Sequence, residues 1–156
     1  MNYNIFLGLG SNLGQKGRNL KQALCLLQDI VSIDAVSKIY RSEAWGLKDQ
    51  PRFINMALKV STELSPSDLL ESIKAIEQKM GRIKSIKWGP RIIDIDILLY
   101  DQMILDIPGL TIPHPWLSER DFVLAPLMDL EPERIHPLFK RSVSDIYQDF
   151  LRQQNG

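Results

Sequence analysis

Phe53-Ile54-Asn55-Met56-Ala57-Leu58-Lys59-Val60-Ser61-Thr62 leads, after two residues, into Ser65-Pro66-Ser67-Asp68: a strand and then a helix start. Alternation separates the strand into two faces. Ile54, Met56, Leu58 and Val60 form one face, which is core. Phe53, Asn55, Ala57 and Lys59 form the other, and a large aromatic beside an amide marks it as at least partly a binding surface. Ser65 as N-cap, Pro66 in the first turn and Asp68 at the positive end of the dipole predict a helix. It runs to about Met80 and stops at Gly81. Its apolar arc holds Leu69, Leu70, Ile73, Ile76 and Met80, with Glu77 inside it. A carboxylate there is expected to snorkel out or pair with Lys74 or Arg82, ahead of contacting a ligand.

Upstream, Ile5-Phe6-Leu7-Gly8-Leu9-Gly10-Ser11 reads as a short strand entering a glycine-rich turn, followed by a helix with Leu20, Leu24 and Leu27 at helical spacing. Cys25 on that helix reads as a small residue packed near the core. Residues 30–40 read as a second strand and residues 92–100 as a fourth. Beyond them come a proline-punctuated stretch (Pro108, Pro113, Pro115), a short helix over residues 122–130 and a terminal helix over residues 142–151. Two helices interleaved with paired strands predict an α+β, ferredoxin-like sandwich. Its central sheet is mostly antiparallel, helices pack on it, and residues 1–156 form a single domain.

The 156 residues carry 19 Lys plus Arg against 19 Asp plus Glu, a formal net charge of zero. That balance argues against nonspecific nucleic-acid or membrane binding. No apolar run approaches the ~20 residues of a bilayer span. Met1-Asn2-Tyr3-Asn4 has no secretory pattern, and one cysteine asks for no oxidising compartment. A cytoplasmic domain is the expectation.

The chemistry concentrates in residues 82–96. Arg82, Lys84, Lys87 and Arg91 bring four cations and no acid through a segment that Gly89-Pro90 makes a loop. Asp94 and Asp96 then alternate with Ile93, Ile95 and Ile97. At i and i+2 on a strand they share a face, ~6–7 Å apart, while the isoleucines enter the core. Two such acids repel unless a cation joins them. Hard oxygen donors suit Mg²⁺, and two ions ~3.5–4 Å apart can clamp a polyphosphate. The adjoining guanidinium forks supply the other half of a phosphoryl-transfer site.

Lys87-Trp88-Gly89-Pro90-Arg91-Ile92-Ile93-Asp94-Ile95-Asp96-Ile97-Leu98 closely resembles the signature of the 6-hydroxymethyl-7,8-dihydropterin pyrophosphokinases of folate biosynthesis. Two more blocks resemble the family: Gly8-Leu9-Gly10-Ser11-Asn12-Leu13-Gly14, and Ile112-Pro113-His114-Pro115 followed by Arg120, Phe122 and Pro126. The resemblance implies transfer of the β,γ-pyrophosphoryl group of ATP to the pterin's hydroxymethyl oxygen, releasing AMP. It implies two Mg²⁺ ions on Asp94 and Asp96, Asp96 being catalytic as well, and Arg82 and Arg91 stabilising the transferring group. It places Glu77, Lys84, His114 and Arg120 on ATP, Thr111 on the ribose and the Ile97 backbone on the adenine. Pterin lies between Phe53 and Phe122, read by Asn55, with Ser42, Trp45 and Trp88 nearby. Residues 83–89 are expected to close over the site as a lid. The expected partners are these two small substrates; the charge balance adds no nucleic acid and no membrane, and a monomeric chain is expected.

Two other classes compete. Gly8-Leu9-Gly10 suggests a dinucleotide-binding oxidoreductase, but Gly14 comes one residue late for that fingerprint. An RNA-binding sandwich would present an aromatic sheet face, yet the chain is neutral and lacks the matching strand motif.

Overall fold

The first apolar run continues straight through its glycines. In the computed structural model, which describes residues 2–42, 52–81 and 92–155, β1 covers Tyr3–Ser11. Gly8 and Gly10 are therefore interior positions of a central strand, not a turn, and the turn begins after Ser11. α1 follows at Lys16–Leu27, burying Leu20, Ala23 and Leu27. Cys25 is exposed on its outer side rather than packed near the core.

The expected second strand divides into β2 (Ser32–Val36) and β3 (Tyr40–Ser42). Ser37 causes the break. Its backbone N–H donates to the Ala57 carbonyl (2.9 Å) while its hydroxyl accepts from the Ala57 N–H (2.8 Å). A side chain thus replaces one ladder bond, and the chain steps outward. Asp129 then holds the step, accepting from the Lys38 N–H (3.0 Å) and the Tyr40 hydroxyl (2.8 Å). β4 spans Phe53–Thr62, as read. α2 spans Pro66–Lys79, with the Ser65 hydroxyl accepting from the Asp68 N–H and Gly81 at φ +88° beyond its end.

β5 (Asp94–Tyr100) completes the sheet, whose order is β2-β4-β1-β5 with β3 extending along β4. Every pairing in it is antiparallel. β1 and β4 lie in the middle; β5 is an edge. A hairpin of β6 (Leu105–Ile107) and β7 (Leu110–Ile112) occupies the proline-punctuated stretch. α3 (Asp121–Leu130) and α4 (Val143–Asn155) end the chain.

The sheet has helices on both sides. On one, Ile5, Leu7, Met56, Leu58, Ile95 and Ile97 pack with Leu20 and Leu27 of α1 and Leu69 and Ile73 of α2. On the other, Phe6, Ala57, Leu98 and Leu99 pack under Leu124 and Leu127 of α3 and Val143 and Ile146 of α4. The second layer covers only part of its face. The uncovered end carries Phe53, Asn55, Gly8, Gly10, Asp94 and Asp96, and becomes a cleft.

Candidate active site

Strand register builds the floor of that cleft. Gly10 lies opposite Asn55 on β4 and opposite Asp94 on β5; Gly8 lies opposite Ala57 and Asp96. Two rows therefore cross the sheet, Asn55–Gly10–Asp94 and Ala57–Gly8–Asp96. With strands about 4.8 Å apart, each row puts a bare glycine between a β4 side chain and a carboxylate roughly 10 Å away. Phe53 and Phe122 line the same cleft, Phe122 from the first turn of α3. Asn55 is buried, and its Nδ2 donates to the Ser42 hydroxyl at 2.7 Å.

A second cleft opens on the other side of β5, against α2 and the segment after β7. Lys74, Glu77, Gly109, His114 and Trp116 line it. Asp94, Asp96 and Arg120 line both clefts. The two carboxylates are half-buried while Ile93, Ile95 and Ile97 are in the core, as strand alternation requires.

Arg120 is a buried cation on this boundary, its guanidinium 5.5 Å from the Phe122 ring centre and 5.9 Å from that of Trp116. Burial pulls its pKa down, while Asp96, Asp94 and Glu119 oppose the fall. Guanidinium remains protonated through any such shift. His114 is held neutral, its pKa lowered to about 4 by burial first and by Arg120 second, with Asp94 opposing. Its Nδ1 accepts from the Trp116 N–H at 3.2 Å. The single ring proton of the neutral form is thereby assigned to Nε2, which makes that nitrogen a donor.

Glu77 does not snorkel out. It is only 4% exposed, and its Oε2 accepts from the backbone N–H of Ile95 at 2.9 Å. Ile95 stands between the two aspartates on the edge strand of the described sheet, and α2 supplies the acceptor for its N–H. No spacing rule reveals this bond. The only sequence signal was an acid inside an apolar arc.

Thr111 and Ile97 line neither cleft. The Thr111 hydroxyl donates to Asp106 across the hairpin at 3.1 Å, and the Ile97 side chain is in the core, leaving only its backbone for a ligand. Arg82, Lys84, Trp88 and Arg91, the expected lid over residues 83–89, and Trp45 lie outside the described residues.

The donor set fits Mg²⁺. Among the described residues no three His, Cys, Asp or Glu side chains gather into a closed cage. Two hard carboxylates facing open clefts suit an ion that keeps waters and takes its remaining oxygens from substrate phosphates.

Residues 6–132 match the family described as 7,8-dihydro-6-hydroxymethylpterin-pyrophosphokinase (HPPK). The chain is 42% identical over 141 residues to the 2-amino-4-hydroxy-6-hydroxymethyldihydropteridine pyrophosphokinase of Aquifex aeolicus, covering 90% of this chain and 88% of that protein. The Bacillus subtilis protein of the same name is 42% identical over 83% of this chain and 79% of its own. The folic acid synthesis protein fol1 of Schizosaccharomyces pombe is 46% identical over 85% of this chain, which spans only 18% of that protein. Among solved structures, a Plasmodium falciparum HPPK-DHPS with pterin and p-hydrobenzoate superposes with a TM-score of 0.80 at 18% identity. It covers 99% of this chain, which spans 45% of that one, and it supports the α+β fold with an antiparallel sheet.

Proposed function

This chain belongs to the 6-hydroxymethyl-dihydropterin pyrophosphokinase family of folate biosynthesis, and from that premise we propose a division of labour between its two clefts. Its reaction is ATP-dependent pyrophosphoryl transfer. The sheet-face cleft takes the pterin and the cleft beside α2 takes ATP. The observation that carries this reading is that Asp94, Asp96 and Arg120 line both clefts. A donor phosphate and an acceptor hydroxyl, one from each side, meet at this shared boundary.

In the pterin cleft, the flat ring stacks on Phe53 and Phe122, and Asn55, held by Ser42, reads its hydrogen-bonding edge. In the nucleotide cleft, Arg120 and the His114 Nε2–H bind phosphate oxygens. Asp94 and Asp96 hold Mg²⁺, two ions in our reading, which when bound neutralises polyphosphate charge. Glu77 borders the nucleotide cleft and fixes the strand that carries both aspartates. Arg82 and Arg91, from the cationic segment, serve the transferring group, Lys84 serves ATP, and Trp45 and Trp88 serve the pterin. Alanine at Arg82 or Arg91 should then lower kcat more than it raises the nucleotide Kd.

The direct test is to incubate the protein with ATP, Mg²⁺ and 6-hydroxymethyl-7,8-dihydropterin and identify the nucleotide formed. AMP together with a pterin diphosphate is expected. ADP as sole nucleotide product overturns the reading.

A further inference from the structure

Gly10 is the middle member of the row that joins Asn55 to Asp94, and the space above it is already occupied. A Cβ built on Gly10 would stand 2.9 Å from Asn55 Oδ1 and 3.3 Å from Phe53 Cδ1. The first distance is too short for a carbon and an oxygen to share, and the second leaves the ring a few tenths of an ångström to yield. Both atoms belong to side chains that line the pterin cleft. Neither belongs to backbone, so the sheet itself would not have to move.

Asn55 would have to turn instead. Its Nδ2 donates to the Ser42 hydroxyl at 2.7 Å, which tethers the amide on the side away from position 10. Rotating Oδ1 away from position 10 breaks that bond or swings the carbonyl from its present direction. A buried amide so displaced can no longer present one fixed donor and acceptor pattern to a heteroaromatic edge.

We propose that Gly10 is a specificity-determining position for the pterin, acting through Asn55: the missing side chain leaves room for the amide in its reading orientation. This rests on the assignment of the sheet-face cleft to the pterin. Gly10 is thus a positioning residue that contributes by absence, and its role is separable from folding. Alanine suits the interior of a strand better than glycine does, and the crowded atoms sit on rotatable side chains.

The test is a double-mutant cycle with Gly10→Ala, Asn55→Ala and the combined variant, all in the full chain. The probe is 6-hydroxymethylpterin, titrated with Mg²⁺ and α,β-methylene-ATP present; nucleotide affinity and Tm are measured separately. Gly10→Ala should weaken pterin binding about tenfold or more and leave nucleotide affinity within about twofold. Its Tm should stay within a few degrees of the parent. Because both changes remove the same oriented amide, the combined variant should bind pterin no worse than Asn55→Ala. Full pterin affinity in Gly10→Ala, with Asn55→Ala weakened, overturns the inference and leaves the cleft assignment standing. Losses that multiply in the combined variant, or a parallel loss of Tm and nucleotide binding, also overturn it. Unchanged pterin affinity in Asn55→Ala removes the cleft assignment itself, and the inference with it.

Discussion

Asp94 and Asp96 share one face of an edge strand and line two clefts, with the Arg120 guanidinium close enough to feel both charges. Replacing either by Asn keeps its shape and removes a ligand charge. Turnover should fall by about a hundredfold or more, since a metal-held polyphosphate loses an anionic anchor. Without Mg²⁺ the Tm should stay within a few degrees of the parent, because relief of the like-charge contact offsets the loss of a counter-charge to Arg120. Calorimetry with and without Mg²⁺ checks this, and a large Tm loss with near-normal turnover would count against it. Glu77 separates differently. Glu77→Ala leaves the buried Ile95 N–H without the acceptor it has at 2.9 Å, which costs about 1–3 kcal/mol. Glu77→Gln keeps an oxygen acceptor and should recover most of that stability by urea denaturation. The aspartates were legible because a strand's period of two puts both on one face. Glu77's partner was not, because it comes from a strand edge 18 residues away.

Element boundaries followed local chemistry where that chemistry was strong. β4 and α2 match their readings because an alternating run and a Ser-Pro-Ser-Asp cap leave little choice. The split between β2 and β3 was hidden, since it depends on the Ser37 hydroxyl meeting Ala57 twenty residues on. The β6–β7 hairpin could have been read: Ile107 and Leu110 pair across Pro108-Gly109, with Gly109 at φ +83°. Proline then glycine at the centre of a tight turn is a type II signal, and the surrounding prolines obscured it. α1 offers a stability test remote from both clefts. Gly17 lies inside it, and a Cβ there would meet nothing within 4 Å. Gly17→Ala should stabilise by about 0.5–1 kcal/mol, seen as a higher urea midpoint with unchanged kcat and KM. A lower midpoint would show that α1 is not helical at that turn.

The whole molecule carries two histidines, and both are kept neutral by burial. His114 sits at the nucleotide cleft with its pKa lowered to about 4. His136 lies in the turn before α4, only 3% exposed and stacked on Phe139 at 4.2 Å between ring centres. Its Nδ1 accepts from the Leu138 and Phe139 N–H groups, a role that protonation would end. Unfolded, each titrates near the ordinary 6.5. Below that pH the unfolded chain binds protons that the folded chain refuses, so stability falls as pH falls. The histidine effect is small at pH 7 and grows down to the folded value, reaching on the order of 3 kcal/mol for His114 near pH 4. Glu131 acts in a lower window. Lys59 and Arg134 hold its pKa below the usual carboxylate range against its own desolvation, so its contribution is present above the unfolded value of 4.5 and is lost beneath it. The two windows separate the causes. Urea midpoints should decline steadily from pH 7 to pH 5, before the carboxylates titrate. His136→Asn retains an acceptor for the turn's N–H groups and removes the titrating ring. That variant should show a shallower decline over the same two pH units. An equally steep slope in His136→Asn would leave His114 as the sole source of the acid sensitivity, and a flat parent profile would mean that neither ring is held neutral by the fold.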